Sequence, residues 1–116
     1  QLSKGIILLL HACTHSALKF FSQSPETCPS CVGLSEELRM VRLVLDKGYT
    51  PVAISSVDQN SGCWSNKDFE RVQTVVNQRE TLFGKTTNII YAMGASSGGA
   101  FAAQLVTHHT AQAAVV

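Results

Sequence analysis

The sequence predicts an α/β domain with a parallel sheet of about four strands. Three observations lead there. Short apolar runs of strand length recur along the chain, with stretches of helical spacing between them. The first run, Ile6 to His11, is continuous rather than alternating, as in strands buried on both faces of a parallel sheet. The third run leads into a small-residue turn, Gly94-Ala95-Ser96-Ser97-Gly98, and open α/β sheets place ligands at such strand ends.

The chain has 116 residues, the size of one small domain or part of a larger one. With 45% apolar and 15% charged residues, a packed core is favoured over disorder. A net charge of +1 with no basic stripe leaves no electrostatic case for a nucleic-acid partner. Gly5 to Leu10 is too short to span a bilayer, which takes about 20 residues. It also lacks the charged flank and cleavage site of a signal peptide. The chain opens on Gln1 and enters this strand almost at once. A signal peptide or upstream strands are the candidates for what precedes it.

Ala12 to Gly33 holds Ser, Thr, two Pro and three Cys, and reads as a long surface loop. Ser35 is placed as the N-cap of a first helix, with Glu36 and Glu37 in the first turn, where acids suit the helix dipole. Leu38, Val41, Val44 and Leu45 share one face of it. Gly48 stands where a glycine ends a helix. Pro51 to Val57 is a second strand and Asp58 to Trp64 a loop. Ser65 and Asp68 match a capping box. Phe69, Val72, Val75, Val76, Leu82 and Phe83 then continue at helical spacing as far as Gly84. Asn88 to Met93 is the third strand, Ala100 to His108 a third helix, and Ala113 to Val116 the start of a fourth strand. The pattern β-α-β-α-β-α-β implies a layered sheet with right-handed crossovers.

Gly94 to Gly98 fits G-x-S-x-G between a buried strand and a helix, the setting of a nucleophile elbow. A serine held in a strained turn needs small residues two before and two after it. Gly94 and Gly98 meet that need, and Gly99 and Ala100 allow close helix packing. Ser96 would present its hydroxyl at the sheet edge, and the Ser97 N–H would face a developing oxyanion. The bland alternative is a glycine-rich turn without chemistry. A phosphate loop fits less well, because neither G-x-G-x-x-G nor Gly-Lys-Ser/Thr is present.

Two segments carry a resemblance to a family. "GIILLLHACTHSA" resembles the strand and His-Gly-type oxyanion loop of the α/β-hydrolase fold superfamily, and "YAMGASSGGAF" resembles its nucleophile elbow. In general character the chain is similar to plant and algal α/β-hydrolase-like proteins with an "HACTHSA…CPxCVGLSEE" segment. The resemblance covers nearly the whole chain and implies an incomplete, three-layer α/β-hydrolase domain over 1–116. It implies that Ser96 is an acyl-forming nucleophile, with one oxyanion donor at the Ser97 N–H and the second at the N–H of Cys13 or Ala12. The family usually has Gly after this His. Ala12, standing there, restricts the loop backbone more.

A serine needs a base, and in this family the order is Ser, then Asp or Glu, then His. No Asp or Glu follows Ser96. His108 and His109 lie about 18 Å along the helix from Ser96 and read as cations near its C-terminus. His11 and His15 fall in the oxyanion loop, where the family uses the first as a structural residue. His11, Asp58 and Trp64 are candidate substrate-pocket residues. A turn-forming role for Asp58 and a packing role for Trp64 stand beside that reading. With acid and base missing, the expectation is a fragment of a longer enzyme or a truncated, inactive product with exposed sheet edges.

Cys13, Cys28, Cys31 and Cys63 allow two disulfides in three pairings. Cys13 and Cys63 follow adjacent predicted strands, so a bridge between them is geometrically plausible. Cys28-Pro29-Ser30-Cys31 is a C-x-x-C, but it sits late in a loop rather than directly after a strand. Zinc would need further ligands, with Cys13, Cys63, His11 and His15 formally available. Structural disulfides or plain loop cysteines are the first reading, and a thiol or metal module built on Cys28 and Cys31 is an alternative. Disulfides would imply the secretory pathway or the extracellular space. The expectation is therefore a serine hydrolase, an esterase, lipase or peptidase relative, acting on a small ester or amide without metal or cofactor. A non-catalytic relative is the second expectation.

Overall fold

The structure is a computed structural model and describes residues 2–116; Gln1 lies outside the described residues. Four strands, β1 (Ile6–Leu10), β2 (Thr50–Ile54), β3 (Ile90–Gly94) and β4 (Ala113–Val115), form one sheet in the order β2-β1-β3-β4. Every pairing is parallel. The α/β class and the four-stranded parallel sheet expected from the sequence are both present.

Successive strand residues face opposite sides of a sheet, so the unbroken apolar run of β1 serves two cores at once. Ile6, Leu8 and Leu10 face one side with Val52, Ile54, Ile90 and Ala92. Val72 and Val76 of α2 (Phe69–Asn77) and Phe101, Ala102 and Leu105 of α4 (Ser97–Thr107) cover that side. Leu9 faces the other side with Ile7, Ala53 and Met93, beneath Met40, Val41 and Val44 of α1 (Ser35–Asp46) and Phe20 of the preceding loop. The result is helix, sheet and helix in three layers.

Several boundaries differ from expectation. The first strand stops at Leu10 and the second at Ile54; the third runs from Ile90 to Gly94. The Ala12–Gly33 loop is partly internal, for it forms a 3-10 turn at Ala17–Lys19 and buries Phe20 and Cys31. The cap of α1 is Leu34, not Ser35. The Leu34 carbonyl already accepts from the Leu38 N–H at 2.8 Å, so Ser35 sits inside the helix. Leu45 points outward and is 56% exposed. Gly48 does end the turn after α1, at φ +88°.

The Ser65–Asp68 capping box is present, although it opens a 3-10 turn (Asn66–Asp68) that runs into α2. The single long helix expected to Phe83 divides. α2 ends at Asn77, and the Arg79 guanidinium donates to the Val76 carbonyl at 2.8 Å, as basic groups do at helix C-termini. A short α3 (Arg79–Phe83) follows, with Leu82 and Phe83 exposed rather than in the core. Finally, α4 begins at Ser97, three residues before the expected Ala100, which brings its N-terminus directly onto the glycine-rich turn.

Candidate active-site turn

β3 ends at Gly94 and α4 begins at Ser97, so the chain reverses within two residues. Ser96 carries the turn at φ 57° and ψ −124°. This combination lies outside the extended and both helical wells, and a side chain held there costs about 1–3 kcal/mol. Its side chain is exposed at the C-terminal end of the sheet.

The neighbouring glycines explain how the turn is tolerated. A Cβ on Gly94 would sit 2.6 Å from the Gly98 carbonyl carbon. A Cβ on Gly98 would sit 2.1 Å from the Leu10 oxygen and 2.6 Å from the His11 oxygen. Without those Cβ atoms the start of α4 rests on the end of β1. The parallel register, Leu10 opposite Gly94, then sends the His11-Ala12-Cys13 segment and the Ser96 turn out of the sheet side by side. Among the described residues, no backbone carbonyl takes the N–H of Ala12, Cys13 or Ser97. The three candidate oxyanion donors are thus uncommitted to the main chain, and the Ser97 N–H carries the positive end of the α4 dipole.

The His11-Ala12-Cys13 loop is fixed from behind. His11 is 2% exposed. Its Nε2 accepts from the Ser56 N–H at 3.0 Å, so the proton sits on Nδ1, which donates to the Ala12 carbonyl at 2.8 Å. Burial lowers the pKa of His11 below its usual value, and the Ala12 bond opposes this only in part. With both nitrogens engaged, His11 is a neutral strut rather than a base. Trp64 lies against it, with ring centroids 5.0 Å apart, and stacks on Phe101 at 4.9 Å. The Trp64 indole N–H donates to the His11 carbonyl and its backbone N–H to the Ser97 hydroxyl, both at 2.8 Å. Trp64 therefore packs against the core and ties the two halves of the turn together. The Cys13–Cys63 disulfide joins the same loops, as do the Thr14 N–H and Ser61 carbonyl at 2.8 Å.

Asp58 and His15 border a small cavity beside His11, whereas His108 lies apart. Asp58 accepts from the Ser61 hydroxyl at 2.8 Å and from the N–H groups of Asn60 and Ser61. The Ser61 hydroxyl bond chiefly, then those two N–H bonds, hold its carboxyl below the usual range. It builds a turn. His15 Nδ1 lies 3.3 Å from Glu37 on α1. His108 packs on Phe69 at 4.5 Å, at the far end of α4 from Ser96. All four cysteines are bridged, Cys13 to Cys63 and Cys28 to Cys31. No thiolate is left for the zinc reading, and no three His, Cys, Asp or Glu side chains among the described residues are grouped to share a metal ion.

Two buried polar residues of this region have little sequence signal. Ser56 supplies the N–H to His11 and donates its hydroxyl to the Gly62 carbonyl at 2.9 Å. Asp68 is fully buried and accepts from the Ser65 N–H at 2.7 Å and the Val57 N–H at 2.6 Å. The capping box reveals the first of those bonds to a sequence reader; the second depends on how the chain folds back.

Compared with family models, curated proteins and solved structures, the chain matches none. The functional reading rests on the geometry of the turn. No helix among the described residues is long and apolar enough to cross a membrane.

Proposed function

We propose that this chain carries the nucleophile and oxyanion half of a serine hydrolase of α/β-hydrolase type, acting on an ester or amide through an acyl-enzyme at Ser96. The observation that carries the proposal is the backbone of Ser96, φ 57° and ψ −124°, in an exposed strand-to-helix turn. A non-glycine residue kept in such a conformation, with glycines on both sides, favours a functional serine over a plain turn, where glycine would cost less.

In the proposed chemistry the Ser96 Oγ attacks the substrate carbonyl carbon. The carbonyl π electrons move to oxygen, and the Ser97 N–H and that of Cys13 or Ala12 stabilise the charge. Collapse expels the alcohol or amine and leaves an ester on Ser96, which water then hydrolyses. The Ser96 proton needs an acceptor. His11 has both nitrogens engaged, His15 faces Glu37 on α1 at 3.3 Å, and His108 lies at the other end of α4. The proposal therefore assigns the proton acceptor to a group other than His11 and His108. The two disulfides favour an oxidising compartment, the secretory pathway or the extracellular space.

A fluorophosphonate probe on the full-length protein tests the nucleophile. Labelling lost in Ser96→Ala is expected; no labelling, or labelling that survives the substitution, overturns it. A non-catalytic member of the same fold is the second reading, motivated by His11, beside the Ser96 turn, having both ring nitrogens engaged. Ester turnover by the 116-residue chain, abolished in Ser96→Ala, would exclude that reading.

A further inference from the structure

We infer that the Cys28–Cys31 disulfide is a thiol–disulfide exchange site, separate from the Ser96 turn, with Cys28 as the sulfur that reacts with external thiols.

The two disulfides differ in how they are built into the fold. Cys13 and Cys63 are 50 residues apart in sequence and join two loops. Opening that bond leaves the loops held by the Thr14–Ser61 hydrogen bond. Cys28 and Cys31 are three residues apart within one loop. Their closure links no two elements of the fold, and a short closed loop gains little from constraining the unfolded chain. Opening this bond requires no other element to move.

Its two sulfurs are also unequal. Cys31 is 2% exposed and belongs to the buried set that includes Phe20. Cys28 is half-buried, and its neighbours Thr27, Pro29 and Ser30 are exposed. Loop hydrogen bonds hold both cysteines in place: Cys28 pairs with Ser24 through both backbone groups, at 2.8 and 3.0 Å, and the Cys31 N–H donates to the Cys28 carbonyl at 3.2 Å. An incoming thiolate therefore reaches Cys28 first. Exchange rates follow access and the identity of the attacked sulfur.

The reaction balances with a thiol as reductant. The thiolate attacks Cys28 Sγ, the S–S bond breaks, and its electron pair leaves on Cys31 Sγ, which takes a proton. A second thiol then attacks the mixed disulfide at the external sulfur and releases the Cys28 thiolate. The net change is one protein disulfide and two thiols to one protein dithiol and one small-molecule disulfide.

The test uses the oxidised chain equilibrated in glutathione buffers stepped from oxidising to reducing. Samples are acid-quenched, alkylated with N-ethylmaleimide and mapped by peptide mass, with near-ultraviolet circular dichroism read in parallel. Cys28 and Cys31 are expected to become alkylated while Cys13 and Cys63 stay bridged and the folded signal stays constant. In Cys31→Ser, oxidised glutathione is expected to form a mixed disulfide on Cys28, releasing one reduced glutathione, at least tenfold faster than on Cys31 in Cys28→Ser. Joint reduction of both pairs, reduction of Cys28–Cys31 only as the folded signal is lost, or equal reactivity of the two single variants would overturn the inference. The wild-type titration stands even if a variant fails to fold. None of these outcomes depends on Ser96.

Discussion

The backbone N–H of Trp64 donates to the Ser97 hydroxyl at 2.8 Å, across 33 residues of sequence. The bond links the loop after β2 to the first residue of α4, next to Ser96. The indole of the same Trp64 reaches the His11 carbonyl at 2.8 Å. One side chain and its backbone thus fix the relative position of the His11-Ala12-Cys13 loop and the Ser96 turn.

Trp64→Phe tests that link. Phe keeps most of the stack on Phe101 but removes the indole donor and leaves the His11 carbonyl without it. A loss of about 2 kcal/mol is expected from the unpaired group and the smaller ring. Urea unfolding checks it, and a loss under about 0.5 kcal/mol would mean the indole bond contributes nothing net.

The turn makes opposite predictions for a serine and its neighbouring glycine. Ser96→Gly relieves the φ 57°, ψ −124° backbone, so stability is expected to rise by about 1 kcal/mol. Gly98→Ala forces a Cβ to 2.1 Å from the Leu10 oxygen, so a loss of about 2–3 kcal/mol is expected. Both are read as shifts in the urea midpoint. Equal stability of Ser96→Gly and Ser96→Ala would show that the turn stores no strain.

His11 predicts a pH dependence. Burial lowers its pKa in the folded protein, while the unfolded residue titrates near 6.5. Below that value the unfolded chain binds more protons than the folded one. The contribution is therefore complete above about pH 6.5 and is lost as pH falls toward the depressed folded value. Unfolding free energies should fall as pH drops from about 6.5 to 5, and His11→Asn should weaken that dependence. A dependence unchanged in His11→Asn would assign it to another group.

The disulfides should contribute unequally. By loop closure, a separation of 50 residues predicts about 4 kcal/mol for Cys13–Cys63, and a separation of three about 2 kcal/mol for Cys28–Cys31. Paired Cys→Ser variants compared by thermal and urea unfolding give the order. A larger loss at Cys28–Cys31 would mean that the loop it closes supports more of the fold than its position indicates.

Much of the architecture was legible because the signals are local. The unbroken apolar run of β1 reported burial on both faces, and Gly48 marked the end of α1 through its positive φ. Ser65 and Asp68 announced a helix start three residues apart. Where the reading went astray, the deciding contact was distant. The apolar spacing through Leu82 and Phe83 suggested one helix, yet the core offers those side chains no place after Val76. Phe20 looked like a loop residue, and it is buried because Leu9 and Val44 leave room for it beneath the loop.

For the site, the sequence by itself determined the small-residue turn, since only glycines at 94 and 98 avoid a clash with the end of β1. It also determined the residue types of the proposed oxyanion loop. Which cysteines pair, which nitrogen of His11 carries the proton, and that Trp64 and Asp68 anchor the surrounding loops were decided only by the tertiary structure. Those outcomes depend on hydrogen-bond partners and sulfur positions contributed by segments tens of residues apart. No spacing along the chain encodes those distances until the parallel sheet brings the strand ends to one edge.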